Sequence, residues 1–445
     1  MNGKAIGLAL ILMLGLLAPA MAKENPLVFK GVVGEDIPYQ KSIEAVAISN
    51  GTIYAACDYR MTAGKELIGV YYLGLMAAYS TNGSRLWVNS SGYVIKIQPL
   101  DRGVLAGGLG GFVFLDGEGH IKANFPTPNK LYDFVMENGY VYGVDGDIWH
   151  TNGTFSSSGE VFRAKLLDNG SLSLEDGWRV RLPSMPGRVR LGDVVYVGSG
   201  LPSGYSAHYH FGALYGVSYD GKLLWNISTG WWVRDLEVWG GKAIAGTGFN
   251  NTKGYILMVD GNGHVMWNES TFFVEDLLVV GDTLYASGFD GRNGKVTAYD
   301  LNERKLLWSE DFPYRVKTLA YGDGKLIVGI GKFESRREGN VTKVYSEGGL
   351  YVLNPENGKV LWKDLNVGYV RSTAVQGNLV VAGTGSSYFY VLDLSKIRGS
   401  KGICGPAFMI FLSVLAGFAV RGWFPWRKSW TLGRHSQQAR SSTRL

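Results

Sequence analysis

Apolar and polar residues alternate along most of the chain with a period of two, in short runs that glycine-rich turns separate. The clearest copy starts at Val274, continues through residues 276–286 and 295–300, and ends at Trp308. Alternation with this period predicts strands, and the turns mark where the strands end. Four strands fit into this copy, so the pattern predicts a four-stranded repeat unit.

The same unit recurs eight times along the chain. Its copies start near residues 43, 95, 132, 189, 233, 274, 316 and 370. Spacings of about 40 to 55 residues are typical of β-propeller blades, whose sheets need neighbours to bury both faces. We therefore predict an all-β, eight-bladed β-propeller. Seven blades stay open as the alternative, if one of the weaker copies is an insertion.

The two ends of the repeat region complement each other. The last copy stops at residues 391–394 without an outer strand, whereas residues 27–33 form a spare strand before the first copy. An unpaired strand at a sheet edge invites aggregation and fraying. The sequence therefore predicts that residues 27–33 complete the last blade and close the ring.

The composition agrees with short strands and excludes several kinds of site. The chain has 63 Gly, 13 Trp and 25 Tyr, and only 18% of its residues are charged, which disfavours long solvated helices. Much of the net charge of +6 lies beyond residue 420, so we expect no nucleic-acid partner. Two cysteines, Cys57 and Cys404, can form neither a disulfide framework nor a four-thiolate zinc site, and we predict that Cys57 is buried.

Both ends of the chain carry targeting patterns. Lys4, an apolar core and an Ala-Met-Ala sequence at 20–22 predict a cleaved signal peptide, with a lasting membrane anchor as the alternative. Near the other end, an uncharged apolar run of membrane-spanning length precedes Trp and basic residues. The expected organisation is a signal peptide (1–22), an exported propeller (23–398), a linker (399–402), a transmembrane helix (403–420) and a basic tail (421–445). This organisation places the propeller outside a cell membrane and the tail in the cytoplasm unless it is removed.

Nine Asn-x-Ser/Thr sequences support export, because they are candidate glycosylation sites. They begin at Asn50, Asn82, Asn89, Asn152, Asn169, Asn226, Asn250, Asn268 and Asn340. Turns also favour Asn, Gly and Ser, so each site alone has a structural explanation as well.

The recurring pattern at residues 296–308 and 350–362 resembles the repeat of quinoprotein-like (PQQ-like, WD40-like) propellers. In that family the outer tryptophan of a blade packs against the neighbouring blade. The resemblance implies this role for Trp87, Trp178, Trp225, Trp267, Trp308 and Trp362. Dehydrogenases of this family bind a quinone and calcium beside an adjacent cysteine pair, which the sequence lacks, so we expect no cofactor.

A second resemblance concerns the C-terminal segment. Cys404-Gly405-Pro406, the apolar run and the basic residues are similar in order to the sorting signal of surface proteins in some hyperthermophilic archaea. The resemblance implies that the segment is processed and that Cys404 is a candidate lipid anchor.

Motifs for catalysis or metal binding are weak. The sequence contains no His-Glu-x-x-His, no Gly-x-Ser-x-Gly and no Walker loop. His208 and His210 could meet a metal from one strand face, and Asp145-Gly146-Asp147 could contribute to a calcium site. Packing and turn formation explain both groups more simply, so we expect no metal.

The starts of the eight copies share a charged residue. These residues are Glu44, Lys96, Asp133, Arg190, Arg234, Glu275, Lys317 and Arg371. Because the start of a copy leads into the innermost strand, we expect them to form a ring around the central axis. One interpretation is a hub held by salt bridges, which suits hot environments. The other is an anion-binding mouth, because Arg190 beside Arg234 and Lys317 beside Arg371 interrupt the alternation of sign.

Aromatic residues provide a second candidate surface for sugars or peptides. They are Trp231, Trp232, Trp239, Tyr205, Tyr209 and Phe211. The sequence thus favours a non-catalytic cell-surface binding or scaffold protein whose partner is a protein, peptide or glycan. The alternative is a hydrolase or oxidoreductase whose site is assembled from loops of several blades.

Overall fold

The computed structural model describes residues 25–35, 40–62, 70–151, 154–200, 211–339 and 341–397. All of them belong to one compact unit, Met1–Ile397. The predicted signal peptide, transmembrane helix and basic tail lie outside the described residues. Within the described residues, no helix has the length and apolar character needed to span a membrane.

Eight antiparallel sheets of four strands form the described part of the chain. Blades 1 to 4 are built from β2 (Lys41–Ser49), β3 (Thr52–Thr62), β4 (Val70–Ser80) and β5 (Arg85–Ser90); β6 (Val94–Leu100), β7 (Gly103–Gly108), β8 (Gly111–Asp116) and β9 (Ile121–Phe125); β10 (Lys130–Glu137), β11 (Tyr140–Thr151), β12 (Thr154–Leu166) and β13 (Leu172–Leu182); β14 (Pro186–Leu191), β15 (Val195–Gly200), β16 (Gly212–Val217) and β17 (Leu223–Ser228).

The remaining strands build blades 5 to 8. They are β18 (Trp232–Trp239), β19 (Lys242–Gly248), β20 (Gly254–Val259) and β21 (Val265–Thr271); β22 (Phe273–Val280), β23 (Thr283–Phe289), β24 (Gly294–Asp300) and β25 (Lys305–Phe312); β26 (Val316–Gly322), β27 (Lys325–Glu338), β28 (Val341–Leu353) and β29 (Val360–Asp364); and β30 (Val370–Gln376), β31 (Leu379–Thr384), β32 (Tyr388–Asp393) and β1 (Leu27–Val32). The innermost strand of each blade contacts the innermost strands of both neighbouring blades. The prediction of an eight-bladed propeller is therefore confirmed.

The N-terminal strand closes the ring as the sequence predicts. β1 pairs antiparallel with β32, from Leu27 opposite Leu392 to Val32 opposite Tyr388. The ring of Phe29 packs edge-on against Phe389, and the hydroxyl of Tyr79 in blade 1 donates to the carbonyl of Val32 over 2.7 Å. Blade 8 thus has four strands and is joined to blade 1. A short 3₁₀ helix, Leu394–Lys396, follows β32.

Outer-strand tryptophans join neighbouring blades. The indole N–H groups of Trp87, Trp178, Trp225 and Trp308 each donate to a carbonyl of the next blade, at 3.0, 2.9, 2.8 and 2.9 Å. A glycine with positive φ lies under each of these rings, as Gly221 lies under Trp178, where an added Cβ would be 2.6 Å from the indole. Trp267 and Trp362 pack into the apolar clusters that blades 5 and 6, and blades 7 and 8, share. All six therefore serve as blade contacts.

The two rims of the ring differ. Short turns join the first strand of a blade to the second, as at Asn50-Gly51 and Asn138-Gly139, where both residues have positive φ. We call this side the turn rim. On the opposite side, the hairpin rim, lie the connections from the second strand to the third and from one blade to the next. In blades 1, 3 and 7 these hairpins are extended, with strands of 11 to 14 residues.

The described glycosylation candidates lie mostly in solvent. Six of them are exposed: Asn50, Asn82, Asn169, Asn226, Asn250 and Asn268. Asn89 is half-buried, and its side-chain amide donates to the carbonyl of Gly119 over 2.8 Å. Asn152 and Asn340 lie outside the described residues. Modification of these sites stays a prediction.

Candidate functional site

A β-bulge interrupts the innermost strand of every blade near its start. The extra residues are Glu44, Ile95, Tyr132, Gly187, Arg234, Glu275, Lys317 and Arg371. A bulge leaves one residue outside the ladder and changes the direction of its side chain. Seven of these eight positions carry side chains, and most of them line, with the residues that follow, a central cavity of about 530 Å³.

The predicted charged ring is partly wrong in its alignment. Five of its members are bulge residues, but Lys96 and Asp133 follow the bulge by one position and Arg190 by three. Alternation alone cannot reveal an extra residue, because a bulge shifts the register without changing the residue types around it. The charged residues therefore occupy several layers of the channel, and signs do not alternate around one ring. Seven of the eight predicted residues line the cavity, and the eighth, Arg234, contacts Glu275 there.

One group of charges, the Asp133 cluster, lies between blades 2 and 5. Its members are Lys96, Asp133, Arg188, Arg190, Asp235 and Glu237. Asp133 accepts from Lys96 Nζ at 2.8 Å and from Arg190 Nη1 at 2.7 Å, while Arg188 Nε donates to Asp235 over 3.0 Å. Burial alone would raise the pKa of Asp133, but Lys96 and Arg190 outweigh it and hold that pKa well below its usual range. Three cations face three carboxyl groups, so this cluster is balanced.

Buried carboxylates of this part of the channel also join blades through backbone groups. Asp133, Asp235 and Asp276 accept from the backbone N–H groups of Val189, Leu277 and Leu319, each in the next blade, at 3.2, 2.9 and 2.6 Å. Each of these N–H groups belongs to the second residue after a bulge. Burial and the neighbouring Asp235 carboxylate raise the pKa of Asp276 well above its usual value.

The second group of charges, the Glu275 cluster, lies across blades 5 to 7 and consists of Arg234, Glu275, Arg315 and Lys317. Glu275 Oε2 accepts from Arg234 Nη2 at 2.5 Å and from Lys317 Nζ at 2.9 Å, and its Oε1 accepts from Arg315 Nη1 at 2.6 Å. These cations outweigh burial and hold the pKa of Glu275 well below its usual range. Arg315 was missed in the sequence analysis because this residue precedes β26. Its position two residues before Lys317 places two cations on one side of the strand start, and this signal is visible in the sequence.

The last member of the predicted ring forms a separate pair. Arg371 Nη2 donates to both carboxylate oxygens of Glu44, at 2.8 and 2.7 Å. This pair separates the central cavity from a smaller recess of about 310 Å³ near Asp58, Tyr93 and Phe333. Cys57 next to Asp58 is buried as predicted, and burial followed by the Asp58 charge raises the pKa of its thiol to about 12. Its thiol is therefore unreactive.

The predicted aromatic surface is largely packed. Trp231 stacks on Phe249 with ring centroids 5.4 Å apart, and Trp239 Nε1 donates to Asp282 over 3.0 Å. Trp232 lies under the guanidinium of Arg234, 3.8 Å from its carbon. Phe211 is exposed, whereas Tyr205 and Tyr209, like His208 and His210, lie outside the described residues. Of this set, Trp232 is the residue that borders the channel charges.

The described candidates for metal binding contact protein groups, although Asp145 Oδ2 is buried without a hydrogen-bond partner in the part of the chain that the structure describes. Asp145 accepts from Asn129 Nδ2 at 2.9 Å, and Asp147 accepts from Lys130 Nζ at 3.0 Å. Asp116, Glu118 and His120 lie close together on a turn, where Asp116 accepts from the backbone N–H groups of the other two. Asp260 binds the equivalent turn of blade 5 in the same way, so this arrangement is explained by turn formation.

Comparisons with known proteins agree with the geometry of the fold. The PQQ_2 family model, described as outer membrane protein assembly factor BamB, matches residues 252–401 and supports the resemblance to PQQ-like propellers. No curated protein sequence matches significantly. Saccharomyces cerevisiae Sqt1 has a similar structure, with 10% identity over 84% of this chain and all of Sqt1 and a TM-score of 0.61. The computationally designed Ika8 protein shows 15% identity over 80% of this chain and 97% of its own, with a TM-score of 0.55. At these identities the likenesses establish the propeller fold.

Proposed function

We propose that this chain is a non-catalytic binding protein, exported and anchored at the outer face of a cell membrane. Its hairpin rim holds a protein, peptide or glycan partner. The observation that carries the proposal is the asymmetry of the two rims, since only the hairpin rim bears long projections among the described blades. The description of the matched family as an assembly factor also favours a binding role over catalysis.

The blade 7 hairpin illustrates the asymmetry. Beyond Gly331 and Gly348 it continues for seven residue pairs, from Lys332 opposite Glu347 to Glu338 opposite Val341. At about 3.3 Å per residue this is a projection of about 23 Å. A lone two-stranded ribbon is marginal in water, and exposed ion pairs such as Lys343 with Glu338 stabilise it little. Stability therefore does not explain the projection, and this favours a role in partner binding.

Shortening this hairpin tests the proposal. Replacing residues 334–345 by Asn-Gly keeps Phe333, which packs against Tyr369, and Ser346, whose hydroxyl accepts from the Tyr369 N–H. We expect an unchanged fold but a loss of partners in surface crosslinking and in peptide and glycan arrays. The control is Glu303→Ala with Glu356→Ala, which alters exposed turns of the turn rim. Equal partner binding by both variants would contradict the proposed role of the hairpin rim.

The anchoring part of the proposal depends on residues 1–22 and 403–420 as read from the sequence. Mass spectrometry of the mature protein from membranes tests it. We expect a mature N-terminus at Lys23, and a lipid on Cys404 if the C-terminal segment is processed. A chain that begins at Met1 and fractionates without membranes would refute anchoring and leave the binding role to be judged separately.

A further inference from the structure

The Glu275 cluster carries more positive than negative charge. Arg234, Arg315 and Lys317 share the one carboxylate of Glu275, so three positive groups and one negative group leave two positive charges. The neighbouring Arg371 is paired with Glu44, so this pair adds no net charge beside the cluster. We propose that the Glu275 cluster is a binding site for an oxyanion group, a carboxylate, sulfate or phosphate, on a ligand that enters from the hairpin rim. This proposal rests on the proposed function, because the anionic group would belong to the partner that the hairpin rim binds.

The cations of the Glu275 cluster are more exposed to solvent than its carboxylate. The Glu275 side chain is 3% exposed, whereas those of Arg315 and Lys317 are 25% and 24% exposed. Arg315 immediately precedes β26, at the end of the strand that faces the hairpin rim. A ligand entering there therefore meets the donors of two cations before it meets the acid. An arginine has five N–H donors and a lysine three, so one carboxylate leaves many of them available.

The surroundings strengthen attraction for an anion. The guanidinium carbon of Arg315 lies 5.2 Å from the ring centroid of Phe273 and 5.1 Å from that of Phe289, so two aromatic rings flank the cation. Burial outweighs the attraction of Glu275 and lowers the pKa of Lys317, and Arg234 and Arg371 lower it further. Arg234 Nε is buried without a hydrogen-bond partner among the described residues. An oxyanion would relieve this excess of charge and donors.

The Asp133 cluster provides an internal control, because it lies in the same channel with balanced charges. Arg188 is a matched residue for Arg315, since both are partly exposed arginines that donate to a buried carboxylate. An oxyanion near Arg188 would be repelled by Asp133, Asp235 and Glu237. The proposal therefore predicts that only one of two similar arginines is needed for anion binding.

The test is calorimetric titration of the full chain with acetate, sulfate and phosphate at constant ionic strength. We expect saturable binding by the parent and by Arg188→Gln, and at least a tenfold weaker affinity for Arg315→Gln and Lys317→Gln. Preference for acetate indicates a carboxylate-bearing ligand, whereas preference for sulfate or phosphate indicates a modified sugar or peptide. Equal binding by all variants, or none by the parent, would overturn the proposal.

A second measurement separates this site from the proposed function. The chain with the shortened blade 7 hairpin keeps the whole Glu275 cluster, so we expect it to bind these anions as the parent does. If the parent and the shortened chain both bind these anions and also bind partners equally well, the proposed function alone is refuted. If shortening the hairpin abolishes partner binding but the parent chain binds none of these anions, the oxyanion site alone is refuted.

Discussion

The Asp133 cluster and the Glu275 cluster lie in one channel, on equivalent strands, yet their charges are arranged differently. In the first, three cations face three carboxyl groups, and two of these carboxylates, Asp133 and Asp235, also accept from backbone N–H groups of the next blade. In the second, three cations share one acid. Because the blades have the same fold, the difference cannot come from the scaffold. A balanced cluster suffices for stability, so the excess of cations indicates a further role.

Removal of the central acid from each cluster should have the largest effect. Glu275→Ala leaves three cations without their acid, and Asp133→Ala removes the acid of Lys96 and one of the acids of Arg190. Breaking a buried pair costs about 3–5 kcal/mol. We expect a loss of this size in the free energy of unfolding for both, measured by urea denaturation. Added sulfate should restore part of the loss in Glu275→Ala and little in Asp133→Ala. Equal restoration would remove the distinction between the clusters.

A change in the scaffold should affect both halves of the ring alike. In Gly221→Ala and Gly358→Ala the new methyl group would lie under Trp178 and Trp308, at 2.6 and 2.8 Å. Gly51→Ala is the control, since Gly51 also has positive φ but no atom within 4 Å of its added Cβ. We expect the first two variants to lose about 1–3 kcal/mol more than the control in thermal unfolding. Different losses in blades 4 and 7 would show that the scaffold itself is uneven.

The smallest effect should be a pH dependence of the free energy of unfolding, caused by Asp276 beside Asp235 of the Asp133 cluster. The pKa of Asp276 is raised in the folded state above its unfolded value of about 4, so its contribution to stability is present at low pH and is lost as the pH rises through the folded pKa. Asp276→Asn removes this titration and retains an oxygen for the Leu319 N–H. We expect the variant to gain stability on the parent as the pH rises from 5 to 9, by at least about 1 kcal/mol. A difference in free energy of unfolding that stays constant across that range would contradict a raised pKa for Asp276.

Strand alternation and turn spacing were enough to predict the blade number and the closing strand, because the repeat recurs along the chain. The packing of the outer tryptophans was implied by the resemblance to quinoprotein-like propellers. The channel was predicted less well. The bulge before Ala45 or Lys96 adds a residue that no pattern of polarity marks, so Lys96, Asp133 and Arg190 were placed one or three positions from their equivalents. Arg315 was missed because it lies just outside its strand. Pairing between neighbouring blades, such as Arg190 with Asp133, depends on geometry that a single repeat does not contain.

The pairing of β1 with β32 determines how the ring responds to mechanical force. The chain enters beside Pro26 and leaves after Asp393, whose N–H donates to the carbonyl of Pro26 over 2.8 Å. Both ends therefore leave the sheet from the same end of the ladder. A pulling force between the two ends breaks one hydrogen-bonded pair after another, starting at Pro26 and Asp393. β1 therefore separates from β32 stepwise, while the other seven blades carry no load.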